Sequence, residues 1–167
     1  MSENSQMSDY QIFSRAADIV ESRWTQGSYK TQDGRHCYIG AIFAAQGIDP
    51  KSVESVSPAN HNFKPIDQRL VAKIDAELQK HHSYRWVRRI TLSSGVPLQR
   101  AIESWNDTGR IRRFRKRNVV RSLRALAASA YADQEAMNVQ SDREQLEALE
   151  LELREKAASE LREKVVV

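Results

Sequence analysis

Apolar positions recur at helical spacing along most of the chain. Ile12, Phe13, Ala16, Ala17, Ile19 and Val20 line one face, and Ser8 with Gln11 three positions on reads as a capping box. Together they predict a helix from about Ser8 to Arg23. Trp24-Thr-Gln-Gly27 interrupts the pattern. Asp33-Gly34 then sits between two short runs, which predicts a small β-hairpin near residues 28–37 closed by a type I′ turn. Tyr38 to Ala45 is nearly all apolar and stops before Gly47, the pattern of a short buried helix with glycine at C′, in which Gly40 lets a neighbour approach closely. Asp49-Pro50 starts a helical turn through Glu54, and residues 55–64 read as a loop. Pro65 suits the first position of a second long helix, striped by Ile66, Leu70, Val71, Ile74 and Leu78 and reaching about His81. Residues 85–91 fit a strand or a helix. Pro97 opens a short helix through Trp105, and Asn106-Asp-Thr-Gly109 reads as a polar turn.

Past Gly109 the chain is basic and then apolar at Val119, Val120, Leu123, Leu126, Ala127 and Ala130, again at helical spacing. Ser141-Asp-Arg-Glu144 is a second capping box and predicts a separate terminal helix striped by Leu146, Leu149, Leu153, Ala157, Leu161 and Val165. Lys156 stands where a heptad would need an apolar residue, so the stripe drifts from a strict coiled-coil register. The fold class is therefore mostly α: a small helical domain over 8–132 with a short β-hairpin near 28–37, and a C-terminal amphipathic acidic helix over 141–165.

Composition narrows the class further. The chain has 167 residues, 40% hydrophobic and 29% charged, with a single cysteine. That excludes a collagenous or wholly disordered chain, an internal disulfide framework and a multi-cysteine zinc cage. No apolar run approaches the ~20 residues of a membrane span, and the polar N-terminus lacks the order of a secretion signal. A cytoplasmic protein without membrane contact is the expectation. The net charge of +4 is strongly segregated. Between residues 85 and 124 stand twelve basic residues: Arg85, Arg88, Arg89, Arg100, Arg110, Arg112, Arg113, Arg115, Lys116, Arg117, Arg121 and Arg124. Only Glu103 and Asp107 oppose them, whereas from Asp133 onward ten acids outnumber five bases.

The run from Arg110 to Arg117, extended by Arg121 and Arg124, carries the clearest chemical signal. On a helix Arg110, Arg113, Arg117, Arg121 and Arg124 step by three or four along one face, and guanidinium forks suit phosphate oxygens. Arg85, Arg88 and Arg89 widen the patch, and Phe114 and Trp86 could stack on unpaired bases. The signatures of sequence-reading folds do not accompany the stripe, so it points to backbone contact with DNA or RNA. Two alternatives stand beside this reading. The basic face can recognise an acidic protein partner while Leu146, Leu149, Leu153 and Leu161 dock or self-associate, as in an interaction module or an inhibitor of a host protein. The basic face can also be neutralised by Glu144, Glu147, Glu150 and Glu152 of the chain itself. A third class is enzymatic: Cys37 opens a helix, where a thiol pKa can fall, and Gln26 with His36, His61, His81 or His82 could assist. Against it, a free cysteine is more often a small buried hydrophobe. Cys37, His61, His81 and His82 lack metal-ligand spacing, isolated Gly95 and Gly109 make no phosphate loop, and the sequence offers no cofactor site. Trp24 and Trp105 read as packing anchors, with Asn106 or Asp107 capping the next segment or bonding Arg35.

Ala16-Ala17-Asp18, Trp24-Thr-Gln-Gly27, Asp33-Gly34-Arg35, Cys37-Tyr-Ile-Gly-Ala41 and Trp105-Asn-Asp107 occur here in a familiar order. In that order the chain resembles a family of uncharacterised small proteins, a domain of unknown function found in actinobacteria and their phages. The likeness covers roughly residues 12–130, leaves 49–96 unmatched and excludes the tail beyond 132. It implies a bacterial or phage-infected cytoplasm and no catalytic residue. Residues 111–117 depart from the pattern as a basic insertion.

Overall fold

The computed structural model describes residues 7–54, 66–95, 97–107 and 112–165, without the side chains of 53–54, 112–114 and 158–165. Seven helices run through the described residues, and two compact units divide the chain, Met1–Ala130 and Tyr131–Val167. The first helix, α1 (Asp9–Ser22), starts as its sequence requires. The Ser8 hydroxyl accepts from the Gln11 amide at 3.3 Å while the Gln11 side chain accepts from the Ser8 amide at 2.9 Å. Its apolar face, Ile12, Phe13, Ala16, Ala17 and Val20, packs on α2 (Tyr38–Ala45), which is buried along nearly its whole length. Gly47 takes a left-handed φ of 78° just past the α2 C-cap, as expected of C′.

The hairpin near 28–37 is not there. No strand exists among the described residues; Trp24 and Lys30 each make a single isolated bridge to His36. The reason is local. Asp33 keeps a negative φ and only Gly34, at φ 75°, is left-handed, which excludes the type I′ turn. Instead the Gly34 amide donates to the Thr31 carbonyl (3.1 Å) and the Thr31 amide to the Arg35 carbonyl (2.9 Å), the pattern of a turn closed by a glycine bulge. The ladder cannot lengthen, because the next residue, Cys37, already caps α2 and His36 spends its backbone on Arg23 and Thr25.

The short helix α3 (Pro50–Glu54) follows, and Ser55 to Pro65 lie outside the described residues. The helix that Pro65 was expected to open begins later, as α4 (Gln68–Leu78), because the Asp67 carboxylate caps the Arg69 amide at 2.8 Å. The ambiguous segment 85–91 lies inside α5 (His82–Ser93), and α6 (Leu98–Asp107) continues through Asn106 and Asp107 rather than stopping at a turn before them. Leu70, Val71, Ile74, Leu78, Tyr84, Ile102 and Trp105 complete the core that Phe13, Tyr38 and Phe43 begin.

The last helix, α7, runs from Arg112 to Val165. The separate terminal helix capped at Ser141 is therefore overturned: a cap needs an extended residue, and Ser141 is helical. Nothing in the sequence forces a break, since no glycine or proline follows Gly109 and alanine, leucine, glutamate and arginine dominate. Val119, Leu123, Leu126, Ala127 and Ala130 are buried in the first unit, and the Ser122 hydroxyl meets that of Tyr38 at 3.2 Å. In the second unit Met137, Val139, Leu146, Leu149, Leu151 and Leu153 are each more than half exposed. Its ion pairs include Arg143–Glu147 at 2.9 Å and Arg154–Glu150 at 3.8 Å, one turn apart on the same helix. Leu161 belongs to the residues whose side chains are not described. No helix among the described residues is long and apolar enough to cross a membrane.

Candidate functional site

Six of the motif positions meet at the C-terminal end of α6, and what they form is a clasp. The Asn106 amide oxygen accepts from the Trp24 indole N–H and from the Tyr38 backbone N–H, both at 3.3 Å. The Gln26 side chain donates to the Asn106 carbonyl at 2.6 Å, and the Asp107 carboxylate accepts from the Gly27 amide at 2.9 Å. Asn106 is almost wholly buried, so the bonds to it satisfy a group that water cannot reach, whereas the Gly27–Asp107 bond is exposed. Gln26 is thereby anchored to the α6 backbone, a packing role like that of its neighbours in the clasp. The expected contact of Asn106 or Asp107 with Arg35 is absent: Arg35 pairs with Asp33 at 2.8 Å.

Two buried carboxylates reinforce the same helices. Glu103 accepts from the Tyr29 hydroxyl (2.5 Å), Gln99 (3.0 Å) and Arg100 (2.8 Å); burial first, then this acid, pushes the Tyr29 phenol well above its ordinary pKa. Asp75 accepts from the Tyr84 hydroxyl (2.6 Å), Arg88 (2.7 Å) and Gln79 (2.8 Å). In each site three donors converge on one carboxylate, the arrangement of a structural network.

Cys37 is buried, and its sulfur accepts from the Gly40 amide at 3.3 Å as the N-cap of α2. Burial outweighs that bond and pushes the thiol up to about 12, so the lowering expected from a helix start is reversed and the group is a thiol at neutral pH. His36 is buried with its Nδ1 unpartnered among the described residues, and burial pulls its pKa down. His81 packs on Trp105, far along the chain from Cys37, and His61 lies outside the described residues. No three His, Cys, Asp or Glu side chains among the described residues gather as a metal site would require.

The basic segment divides into three kinds of side chain. Arg88 is tied to Asp75, and Arg124 reaches α1, where it meets Asp18 at 2.7 Å and Glu21 at 2.9 Å. These two serve the fold, and the stripe loses Arg124 at its far end. Arg115 is half-buried, its guanidinium carbon 4.4 Å from the centroid of the Trp105 ring. Arg85, Arg89, Arg117 and Arg121 are exposed and make no ion pair with a described residue, while Lys116 is partly covered. Arg85 and Arg89 stand one turn apart on α5 beside Trp86, which is 62% exposed; Arg117 and Arg121 stand one turn apart on α7. Arg110 lies outside the described residues, and for Arg112 and Arg113 only the helical backbone is described.

Trp105 itself is the largest fully buried side chain. Its indole N–H donates to Ser83 at 3.0 Å, Tyr84 meets it edge-on at 6.0 Å, and His81 lies 5.8 Å away between ring centroids. The sequence reading names Trp105 as an anchor but misses this convergence of His81, Ser83 and Arg115 upon it. No linear spacing could reveal it, because the contributors come from three different helices and their flanks.

No curated protein and no solved structure matches the chain. A family of unknown function, DUF6197, matches residues 5–129, which takes in the α6 clasp, Trp105 and the basic segment and leaves out the exposed second unit. Over that length the chain belongs to the family of unknown function DUF6197.

Proposed function

We propose that the protein acts by binding, without catalysis, and that its free arginines contact nucleic-acid phosphates. One observation carries this reading: Arg85 and Arg89 beside exposed Trp86, and Arg117 with Arg121, are solvent-facing cations without a described carboxylate partner, although exposed acids elsewhere in the chain do find partners. Arginine forks bind phosphate oxygens in pairs, and an exposed indole among them offers a base a face to stack on. The reading is of a polyanion contacted through its backbone, since the sequence carries none of the signatures of a sequence-reading module.

The test is retention of single-stranded and duplex oligonucleotides across 50–200 mM salt, for the natural chain and for Arg117→Glu with Arg121→Glu. Two lost phosphate contacts should flatten the log–log salt slope by about 2. Retention that is equally strong and equally salt-dependent in the variant refutes the reading.

A second reading rests on the leucines of the second unit. Leu146, Leu149 and Leu153 are each more than half exposed, and a lone helix has little to stabilise it in water without a partner for such residues. Under this reading the helix docks on a protein partner or on another copy. Sedimentation of a chain ending at Gln140 tests self-association: fewer copies per particle than in the full chain, with the first unit still folded, supports it, and an unchanged number of copies removes it.

A further inference from the structure

Arg115 has lost part of its water without gaining a counter-charge among the described residues. Its Nη1 is buried and has no hydrogen-bond partner among the described residues. Burial lowers its pKa and no carboxylate opposes that shift, in contrast to Arg88 and Arg124, whose acids hold theirs up. The Trp105 face 4.4 Å away offsets part of the cost of burying a cation, but a ring offers no acceptor for an in-plane N–H. A buried guanidinium edge with an unused donor is normally completed by an anion or a carbonyl.

The surroundings add positive charge. His81 packs on the same indole, and the charges of Arg121, Arg115 and Lys80 all act on it. Burial first, and then these cations, lower the His81 pKa; Glu77, an acid acting the other way, is engaged by Lys80 at 2.5 Å. Ser83 accepts the Trp105 N–H, which leaves its own hydroxyl proton free to donate. The α5 helix also begins at His81 without a side-chain cap.

We propose that Arg115, Arg121, His81 and Ser83 form a seat for a single phosphate group beside Trp105. Arg115 supplies the N–H that has no other acceptor, Arg121 adds charge, and the Ser83 hydroxyl donates. His81 takes up a proton when the anion arrives, because a negative charge beside the imidazole favours its cationic form against burial and the neighbouring cations. The seat goes beyond the polyanion reading, which needs only exposed surface charge, and stands or falls separately from it.

The probe is inorganic phosphate added to the full chain at pH 7, with sodium chloride at matched ionic strength as the control. Calorimetry should show saturable binding, and the His81 ring protons should titrate at higher pH in phosphate than in chloride. Arg115→Met should weaken binding at least about tenfold, the loss of a charge-assisted bond. Because Arg115 covers Trp105, its loss also endangers the fold; Arg121→Gln, at an exposed position, carries the test independently and should weaken binding several-fold with the melting temperature unchanged. Heat no greater than in chloride, together with an unmoved His81 titration, overturns the seat. Oligonucleotides bearing a 5′-phosphate or a 5′-hydroxyl identify its source. Stronger competition by the phosphorylated one assigns a terminal phosphate, and equal competition a backbone phosphate. If inorganic phosphate binds but neither oligonucleotide is retained, the seat stands and the polyanion reading fails. If oligonucleotides are retained while phosphate is inert, the seat fails and the polyanion reading stands.

Discussion

Replacing Gly40 with alanine is expected to abolish the fold. The added Cβ would lie 1.8 Å from the Tyr29 carbonyl oxygen and 2.6 Å from its carbon, and backbone cannot swing aside as a side-chain end can. Tyr29 is also pinned, its hydroxyl bonded to Glu103 at 2.5 Å and its ring 5.8 Å from that of Phe43. In an open helix the same substitution stabilises by about 1 kcal/mol, so here sterics reverse the sign of a favourable propensity. The loss should exceed about 3 kcal/mol, at or above the upper range for overpacking, and the far-UV signal should melt without a cooperative transition. Gly47→Ala is the control. Its site is open but its φ is 78°, so only the left-handed strain of about 1–2 kcal/mol applies. A Gly40→Ala protein melting within a few degrees of the natural chain would show that Tyr29 does not press on α2.

Trp105→Ala should cost about 3–5 kcal/mol in denaturant unfolding, the penalty for removing a large aromatic from a packed interior. The side chain is fully buried, and its removal strips Tyr84, His81 and Arg115 of a shared surface. Trp105→Phe keeps most of the apolar volume and loses the bond to Ser83, so it should be distinctly milder. The pair separates two views of this residue. An aromatic kept for stacking on a ligand would tolerate alanine with stability intact and binding lost; the packing reported above demands the opposite order. Unfolding midpoints that agree within error for the natural and alanine proteins would contradict the packing.

Helix content was legible wherever local chemistry decided it. Ser8, Gly47 and the apolar run of α2 act over a few residues, and each behaves as its type dictates. The hairpin was not legible, because Asp-Gly specifies a turn without specifying which residues flank it in φ, and the competing bond sites on Arg23 and Thr25 are remote in pattern. Ser141 misled for a related reason: a capping box matters only where the chain already leaves the helix. The carboxylate networks left a trace that was readable. Asp75 shares the stripe of Val71, Ile74 and Leu78, and Glu103 that of Gln99, Ile102 and Asn106, so each acid occupies an inward position of its helix. An acid at such a position demands partners, although only coordinates name them. For the basic segment, spacing identified an arginine-rich helix but not that Arg88 and Arg124 are spent on ion pairs.

The irregular stretch between α1 and α2 bonds to itself only around the Thr31–Arg35 turn and His36, while Trp24, Gln26, Gly27 and Tyr29 are held by α6, through contacts that span 74 residues at Tyr29 and 82 at Trp24. Closing loops that long is slow, and the short turn does little to reward an early attempt. During folding these four residues must therefore order late, after α6 has docked. Until then Tyr29 does not crowd Gly40, and the first two helices are free to pair before the segment joining them has taken its final course.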